Sequence, residues 1–201
     1  MKIFIPMAGK GTRLRPFTLT CPKPLINILD KPIVEHLIDQ ITSKVKSDID
    51  EIVYILGDES YFNAEVVNSL NIISEKYNAK TKIYRQLEQL GTGHAIMCAE
   101  ESLSGPSIIA YADTMIQGNI EIDTKVDGIM WVKKVDNPSA YGVVNLDNEN
   151  KITELIEKPA EFISDLAVVG IYYFKEAANL RGYLRKHLSE KLNPGKEYLL
   201  N

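Results

Sequence analysis

The segment "PMAGKGTRLRPFTLTCPKPL", Pro6 to Leu25, gathers Gly9, Gly11, Thr12, Arg13, Arg15 and Lys23 directly behind the apolar opening "KIFI". Glycine lets a backbone approach a ligand closely, and exposed N–H groups can line an anion site. Cations and glycines on one loop therefore point to phosphate. The loop matches neither of two familiar phosphate cradles. The ATP-binding pattern G-x-x-x-x-G-K-[ST] fails because Gly11 follows Lys10 and Phe4 stands five positions before Gly9. The dinucleotide pattern G-x-G-x-x-G fits Gly9 and Gly11 but meets Leu14 where its third glycine belongs, and Pro16 blocks the helix that should open there. Two further segments carry groups of the same kind. In "QLEQLGTGHA", Gln86 precedes Gly91-Thr92-Gly93, a helix start whose geometry suits an anion or a carbonyl. In "YADT", Asp113 is a hard oxygen ligand suited to Mg2+.

These three segments need a scaffold that brings them together, and the apolar pattern supplies one. "KIFIP", "EIVYIL", "TKIYRQ" and "SIIAYA" read as short strands, three of them nearly continuous in apolar residues, as a sheet covered on both faces requires. Between them "KPIVEHLIDQIT", "YFNAEVVNSLNIISEKY" and "GTGHAIMCAEESL" read as helices, the first with Ile33, Val34, Leu37, Ile38 and Ile41 at helical spacing. Strand alternating with helix predicts a mostly parallel central sheet between helical layers. After Gly118 the strands "GIMWVKK", "YGVVNL", "KITELIE" and "LAVVGIYYF" follow one another over short polar links, and a helix near "KEAANLRGYLRKHL" comes after them. Ligands of open α/β sheets sit at the carboxyl ends of the strands, which places loops Met7 to Pro24, Leu87 to Gly93 and Ala112 to Ile116 on one rim.

Composition bounds what this rim can serve. The 201 residues, 45% hydrophobic and 25% charged, suffice for one well-buried core and are few for two, so a single domain is expected. It has a nucleotide-binding half over about 1–118 and a more β-rich half over about 119–201. A net charge of -4 argues against a general nucleic-acid or anionic-membrane surface, so the basic loop serves a small anion. Cys21 and Cys98 lack metal spacing and suit reduced thiols, and no signal sequence or apolar span is seen, which reads as a cytoplasmic protein.

The stretch "AGKGTRLRPFTLTCPKPL" resembles the signature of the sugar-1-phosphate nucleotidyltransferases, the nucleoside-diphosphate-sugar pyrophosphorylases. The resemblance continues in family order through "QLEQLGTGHAI", "YADT", "YGVV", "EKP" and "VVGIYYF" and covers nearly the whole chain. It implies a Rossmann-like three-layer α/β sandwich with a mixed, mostly parallel central sheet. It also implies the transfer of a nucleotidyl group from a nucleoside triphosphate to a sugar 1-phosphate with release of pyrophosphate, Mg2+ assisting. By this resemblance Arg13 holds the leaving pyrophosphate, Lys23 the phosphates at the reacting centre and Asp113 the metal. Ala8, Gly9, Gly11, Thr12, Gln86, Gly91 and Thr92 bind the nucleotide, Gln86 reading a base edge. On the sugar side Gly142 and Glu157 take hydroxyls, Lys158 the sugar phosphate, and Val168 and Gly170 line the pocket. The long link between arginine and lysine resembles the hexose-1-phosphate transferases, glucose-1-phosphate thymidylyltransferases above all, with UTP the alternative nucleotide. "QLGTGHA" instead resembles the N-acetylglucosamine-1-phosphate uridylyltransferases.

Other readings compete. Arg13 and Lys23 can be solvated surface charges, Asp113 a turn cap, Gln86 an exposed strand end and Glu157-Lys158 a surface ion pair. His94 reads as structural, His36 and His187 show no evident partner, and Trp131 and "YYF" read as packing. A cytidylyltransferase acting on a non-sugar phosphate such as phosphocholine shares the opening signature, and a non-catalytic nucleotide-sugar-binding subunit shares the fold. Nucleic acid and membrane are not expected partners, and a homo-oligomer is left open. Finally, "GKEYLLN" resembles a family segment that normally opens a helix, so the chain reads as truncated at its C-terminus, with a second metal ligand expected further downstream.

Overall fold

The computed structural model describes residues 1–115, 122, 123, 125–189 and 197–200. Three strands are apolar after their first residue and buried along their middles: β1 (Lys2–Pro6), β4 (Glu51–Leu56) and β6 (Ser107–Ala110). With β5 (Lys80–Arg85) they form a parallel block in the order β5-β4-β1-β6. Such continuous apolar runs belong in the middle of a sheet covered on both sides. The edge strand β5, by contrast, opens on Lys80, Thr81 and Lys82 and is nowhere fully buried.

Successive side chains of each strand point to opposite faces and feed two separate cores. Ile3, Ile5, Ile52, Tyr54 and Leu56 meet one helical layer, formed by α1 (Ile33–Thr42) and α2 (Ala64–Glu75). Phe4, Val53, Ile55 and Ile109 meet the other, formed by α3 (Thr92–Cys98) and α4 (Ala177–Ser189). The result is the expected three-layer Rossmann-like α/β sandwich. In α1 the buried residues Ile33, Val34, Leu37, Ile38 and Ile41 share one face, and α2 is capped by the Asn63 side chain accepting from the Val66 N–H.

Beyond β6 the sheet turns antiparallel, which makes it mixed. The long strand β10 (Leu166–Phe174) pairs its end with β6, Ile171 opposite Ala110. It also carries β7 (Gly128–Lys134) along its length and touches β8 (Gly142–Leu146) at Ala167, and β9 (Ile152–Glu157) continues the sheet from β8. The register of β7 against β10 shifts between Val168 and Tyr172, around Gly170 at φ +76°.

Several details depart from the sequence reading. A two-residue hairpin of β2 (Asn27–Ile28) and β3 (Lys31–Pro32) precedes α1. The helix read over "GTGHAIMCAEESL" is α3 followed by a separate 3-10 turn, Glu100–Ser102. His36 and His187 do have neighbours: His36 Nε2 lies 2.9 Å from the Ile28 carbonyl, and the His187 ring meets Tyr198 edge-on at 5.4 Å. Ile116, Gly118 and Asn201, where a rim loop, a half boundary and the chain end were read, lie outside the described residues.

Candidate active site

The four parallel strands end on one rim, and their following loops enclose an open cleft of about 850 Å3. Of the residues expected in a nucleotide site, Ala8, Gly9, Gly11, Thr12, Arg13, Lys23, Gln86, Thr92 and Asp113 all line it. Gly91 lies immediately beside them, its carbonyl held by Gln86.

The loop after β1 forms the floor and one wall. Backbone pairing of β1 with β4 runs one residue further, Met7 N–H donating to the Ile55 carbonyl at 2.8 Å, which fixes the start of the loop. Nothing lies within 4 Å of the place where a Gly9 Cβ would stand, so the protein's own packing does not require glycine there. The missing side chain leaves the cleft floor open to a ligand. Gly11 is different: it adopts φ +61°, and a Cβ would press on Thr18 and Lys23 at 3.1 and 3.2 Å. That left-handed turn delivers Arg13 on the 3-10 turn Thr12–Leu14, and the later 3-10 turn Lys23–Leu25 delivers Lys23.

Across the cleft, Asp113 follows β6. Its Oδ2 accepts from Lys23 Nζ at 2.7 Å, so two residues ninety positions apart in sequence meet on the lining of the cleft. The lining holds three cations, Lys10, Arg13 and Lys23, against two carboxylates, Asp58 and Asp113. This local excess of positive charge sits on a chain whose net charge is -4. Among the described residues no group of three His, Cys, Asp or Glu side chains could hold a metal ion. Asp113 alone nevertheless fits the way Mg2+ binds at nucleotides, through one or two carboxylates plus substrate phosphates.

Gln86, 6% exposed at the end of β5, donates through Nε2 to the Gly91 carbonyl at 2.9 Å and pairs with His94 Nδ1 at 3.1 Å. Its amide nitrogen therefore shapes the 91–94 turn. The glycines of that turn admit the chain's own backbone: Gly93 N–H donates to the Tyr198 carbonyl, Tyr198 N–H to the Leu90 carbonyl, and Leu200 N–H to Thr92 Oγ1. Gly91, at φ 110° and ψ 175°, occupies a region open almost only to glycine, and a Cβ there would stand 2.4 Å from the Tyr198 carbonyl oxygen. Gly91→Ala is therefore expected to cost about 1–3 kcal/mol of stability. Thermal unfolding measures this, and hydrogen exchange should show residues 197–200 losing protection; an unchanged midpoint would remove the constraint.

Of the residues expected to take the sugar, Gly142 and Glu157 face each other across β8 and β9, and Lys158 follows in a left-handed conformation, φ 46°, its N–H on the Tyr141 carbonyl. Lys158 Nζ lies 3.6 Å from Glu157 Oε1. These residues, with Val168 and Gly170 on β10, do not line the cleft itself; Tyr111 connects them to it. Tyr111 lines the cleft, its ring occupies the space that a Gly170 Cβ would need, and its N–H donates to the Gly170 carbonyl at 3.1 Å. Burial pushes the Tyr111 hydroxyl up from its ordinary pKa, hydrogen bonds with Thr92 and Tyr172 oppose this, and Glu157 and Asp113 add negative charge nearby. One ring thus stands among residues expected on both substrates.

Lys10, Asp58, Gln89 and Tyr111 were not singled out from the sequence. Gly57 and Asp58 follow β4, whose carboxyl end lies on the same rim, so the argument that chose the other loops extends to this one. Gln89 reaches the floor through Nε2, donating to the Ala8 carbonyl at 3.3 Å.

The family model described as nucleotidyl transferase matches residues 4–196. The chain belongs to the nucleotidyl transferase family. It is 36% identical over 174 residues to the bifunctional protein GlmU of Methanococcus maripaludis, covering 86% of this chain and 39% of that one. It is 31% identical over 201 residues to the mannose-1-phosphate guanylyltransferase catalytic subunit beta of Danio rerio, covering 95% and 54%. The chain thus spans about two fifths to half the length of these relatives. Among solved structures, a putative glucose-1-phosphate thymidylyltransferase from Bacillus anthracis superposes with a TM-score of 0.77 at 25% identity, covering 96% and 76%. A UDP-glucose pyrophosphorylase complexed with UDP-glucose gives 0.76 at 23%, covering 99% and 83%, a likeness of fold. Among the described residues no helix is long and apolar enough to cross a membrane.

Proposed function

We propose that this chain joins a pyrimidine nucleoside triphosphate, dTTP or UTP, to a hexose 1-phosphate, glucose 1-phosphate first among them, and releases pyrophosphate. The observation that carries the reading is the meeting of Lys23 and Asp113, 2.7 Å apart, above a glycine floor and beside Arg13. A cation and a carboxylate at that distance supply the two kinds of group a triphosphate needs at its reacting phosphorus. A phosphate oxygen of the sugar 1-phosphate attacks the α-phosphorus in line; the new P–O bond forms as the bond to the β-phosphate oxygen breaks, and pyrophosphate carries away the electron pair. No residue is bonded to substrate along this route, so catalysis rests on positioning and charge neutralisation.

Each residue then has a task. Arg13 holds the departing pyrophosphate, and Lys23 holds the oxygens around the α-phosphorus. Asp113, together with the substrate's phosphates, would hold Mg2+, which when bound neutralises phosphate charge. Ala8, Gly9, Gly11 and Thr12 carry the phosphates and ribose, while the Gln86, Gly91 and Thr92 turn faces the base. Gly142, Glu157, Lys158, Val168 and Gly170 take the sugar phosphate, reached past Tyr111. In this reading the 201 residues act as one domain in two halves, in a reducing cytoplasm that suits two free cysteines.

The test is pyrophosphate release across a grid of dTTP, UTP, CTP, GTP and ATP against hexose 1-phosphates and phosphocholine. Pyrimidine triphosphates should exceed purines, because a site left with unpaired polar groups rejects the wrong base. GTP used as well as UTP, or phosphocholine as well as sugars, would overturn the substrate assignment. Within the same grid Lys158→Ala should raise KM for the sugar phosphate about tenfold, the loss of roughly 1.4 kcal/mol of ground-state binding, while KM for the triphosphate stays put. The reverse pattern would move Lys158 to the nucleotide side.

A further inference from the structure

Residues 9–25 carry Arg13 and Lys23, yet of this stretch only Thr18, Pro22 and Pro24 are buried. Phe17 and Leu19 are 71% and 59% exposed. So little apolar contact cannot fix the loop, and its hydrogen bonds must. Two of them come from outside the loop through one atom. The Tyr61 hydroxyl donates to the Thr18 carbonyl at 2.7 Å and lies 3.1 Å from the Cys21 carbonyl, sharing one proton between two acceptors. Thr18 passes the constraint inward, its Oγ1 donating to the Gly11 carbonyl at 2.8 Å. The attachment points therefore lie between the two cations and connect directly to the turn that aims the first.

The other end of this brace is rigid. Tyr61 sits on residues 57–62, where Arg85 Nη1 donates to the Gly57 and Phe62 carbonyls at 2.9 and 3.0 Å. The Asp58 carbonyl accepts from the Tyr61 and Phe62 N–H groups, and Asp58 Oδ1 accepts from the Ser60 N–H. Phe62 is wholly buried in the core and meets the Tyr61 ring edge-on at 5.1 Å. We propose that Tyr61 is a positioning residue: its hydroxyl, anchored through 57–62 to the core, holds the 11–23 loop so that Arg13 and Lys23 stand ready for the phosphates. This rests on the function proposed above.

The test is Tyr61→Phe, which keeps the ring and its packing on Phe62 and deletes only the hydroxyl. Misplacing catalytic groups by about 1 Å can cost 10²-fold, so kcat/KM for the triphosphate should fall about 10- to 100-fold while KM for the sugar phosphate changes by less than about twofold. Amides of residues 11–23 should exchange faster with deuterium, and those of α1 and α2 should not. If the parent chain turns over and Tyr61→Phe matches it in kcat/KM or in loop exchange, the positioning role is overturned. If the parent chain makes no nucleotide sugar from any pair in the grid, the functional reading fails separately; loop exchange still decides, faster exchange in the variant supporting the brace and equal exchange refuting it. A circular-dichroism melt checks that the variant folds. Should it not fold, Thr18→Val, which breaks the next link to Gly11, must show the same loop exchange and the same kinetic split, and parent-like values there would overturn the proposal.

Discussion

Arg13→Ala is expected to lower kcat by about 10²–10³ with the fold intact, the usual effect of removing one preorganised contact that strengthens as charge develops in a transition state. Arg13 projects from a 3-10 turn, is exposed, and makes no ion pair among the described residues, so the resting structure does not depend on it. Its effect should therefore fall on turnover. The negative charge that builds on the departing pyrophosphate is the feature it would meet, which is why kcat should fall further than triphosphate affinity. Steady-state pyrophosphate release, with a thermal melt of both proteins, measures this. Turnover within a factor of about three of the parent would return Arg13 to the solvated surface charges, whose individual contributions are typically under 1 kcal/mol.

Asp113→Asn is expected to lower kcat by a similar factor of about 10²–10³ for a different reason. Asparagine keeps the shape of the side chain and a carbonyl oxygen but removes the charge. Lys23 then loses the carboxylate that it contacts, and in the proposed role a divalent cation would lose its anionic protein ligand. These two roles separate in a Mg2+ titration. If Asp113 shares in holding the ion, the Mg2+ concentration for half-maximal rate rises in the variant. If Asp113 only orients Lys23, kcat drops while the Mg2+ dependence stays as in the parent chain, and Lys23→Met should show the same loss. Parent-like activity in Asp113→Asn would remove both roles.

The parts of the fold legible in the sequence were those fixed by local pattern. "EIVYIL", "GIMWVKK" and "LAVVGIYYF" coincide with β4, β7 and β10, since short runs rich in β-branched and aromatic residues between polar links are too short for helices and suit strands. The hairpin of β2 and β3 was hidden because its left-handed corner is Leu29, φ 59°, where glycine or asparagine would have announced a turn. Nothing in "CAEESL" marks the break after α3. In the cleft, glycines and charges named the loops, but contacts between loops left no trace in periodicity. Tyr61 and Thr18 are 43 residues apart, and Leu200 and Thr92 are 108 apart. Gln86 shows the same limit: its position was legible, while its engagement with Gly91 and His94 depends on how the turn folds back.

The order of strands in the sheet also governs how the chain comes together. β1 lies between β4 and β6, and β6 acquires its second neighbour only from residues 171–174. During synthesis the first strand emerges long before either partner, and the edge of β6 stays open until β10 has left the ribosome. Pairings so distant along the chain pay loop-closure entropy before any contact repays it, so assembly is slow and the unpaired apolar strands are open to association with other chains meanwhile. The same interleaving that gathers four loops onto one rim therefore leaves apolar strand edges uncovered until late in assembly.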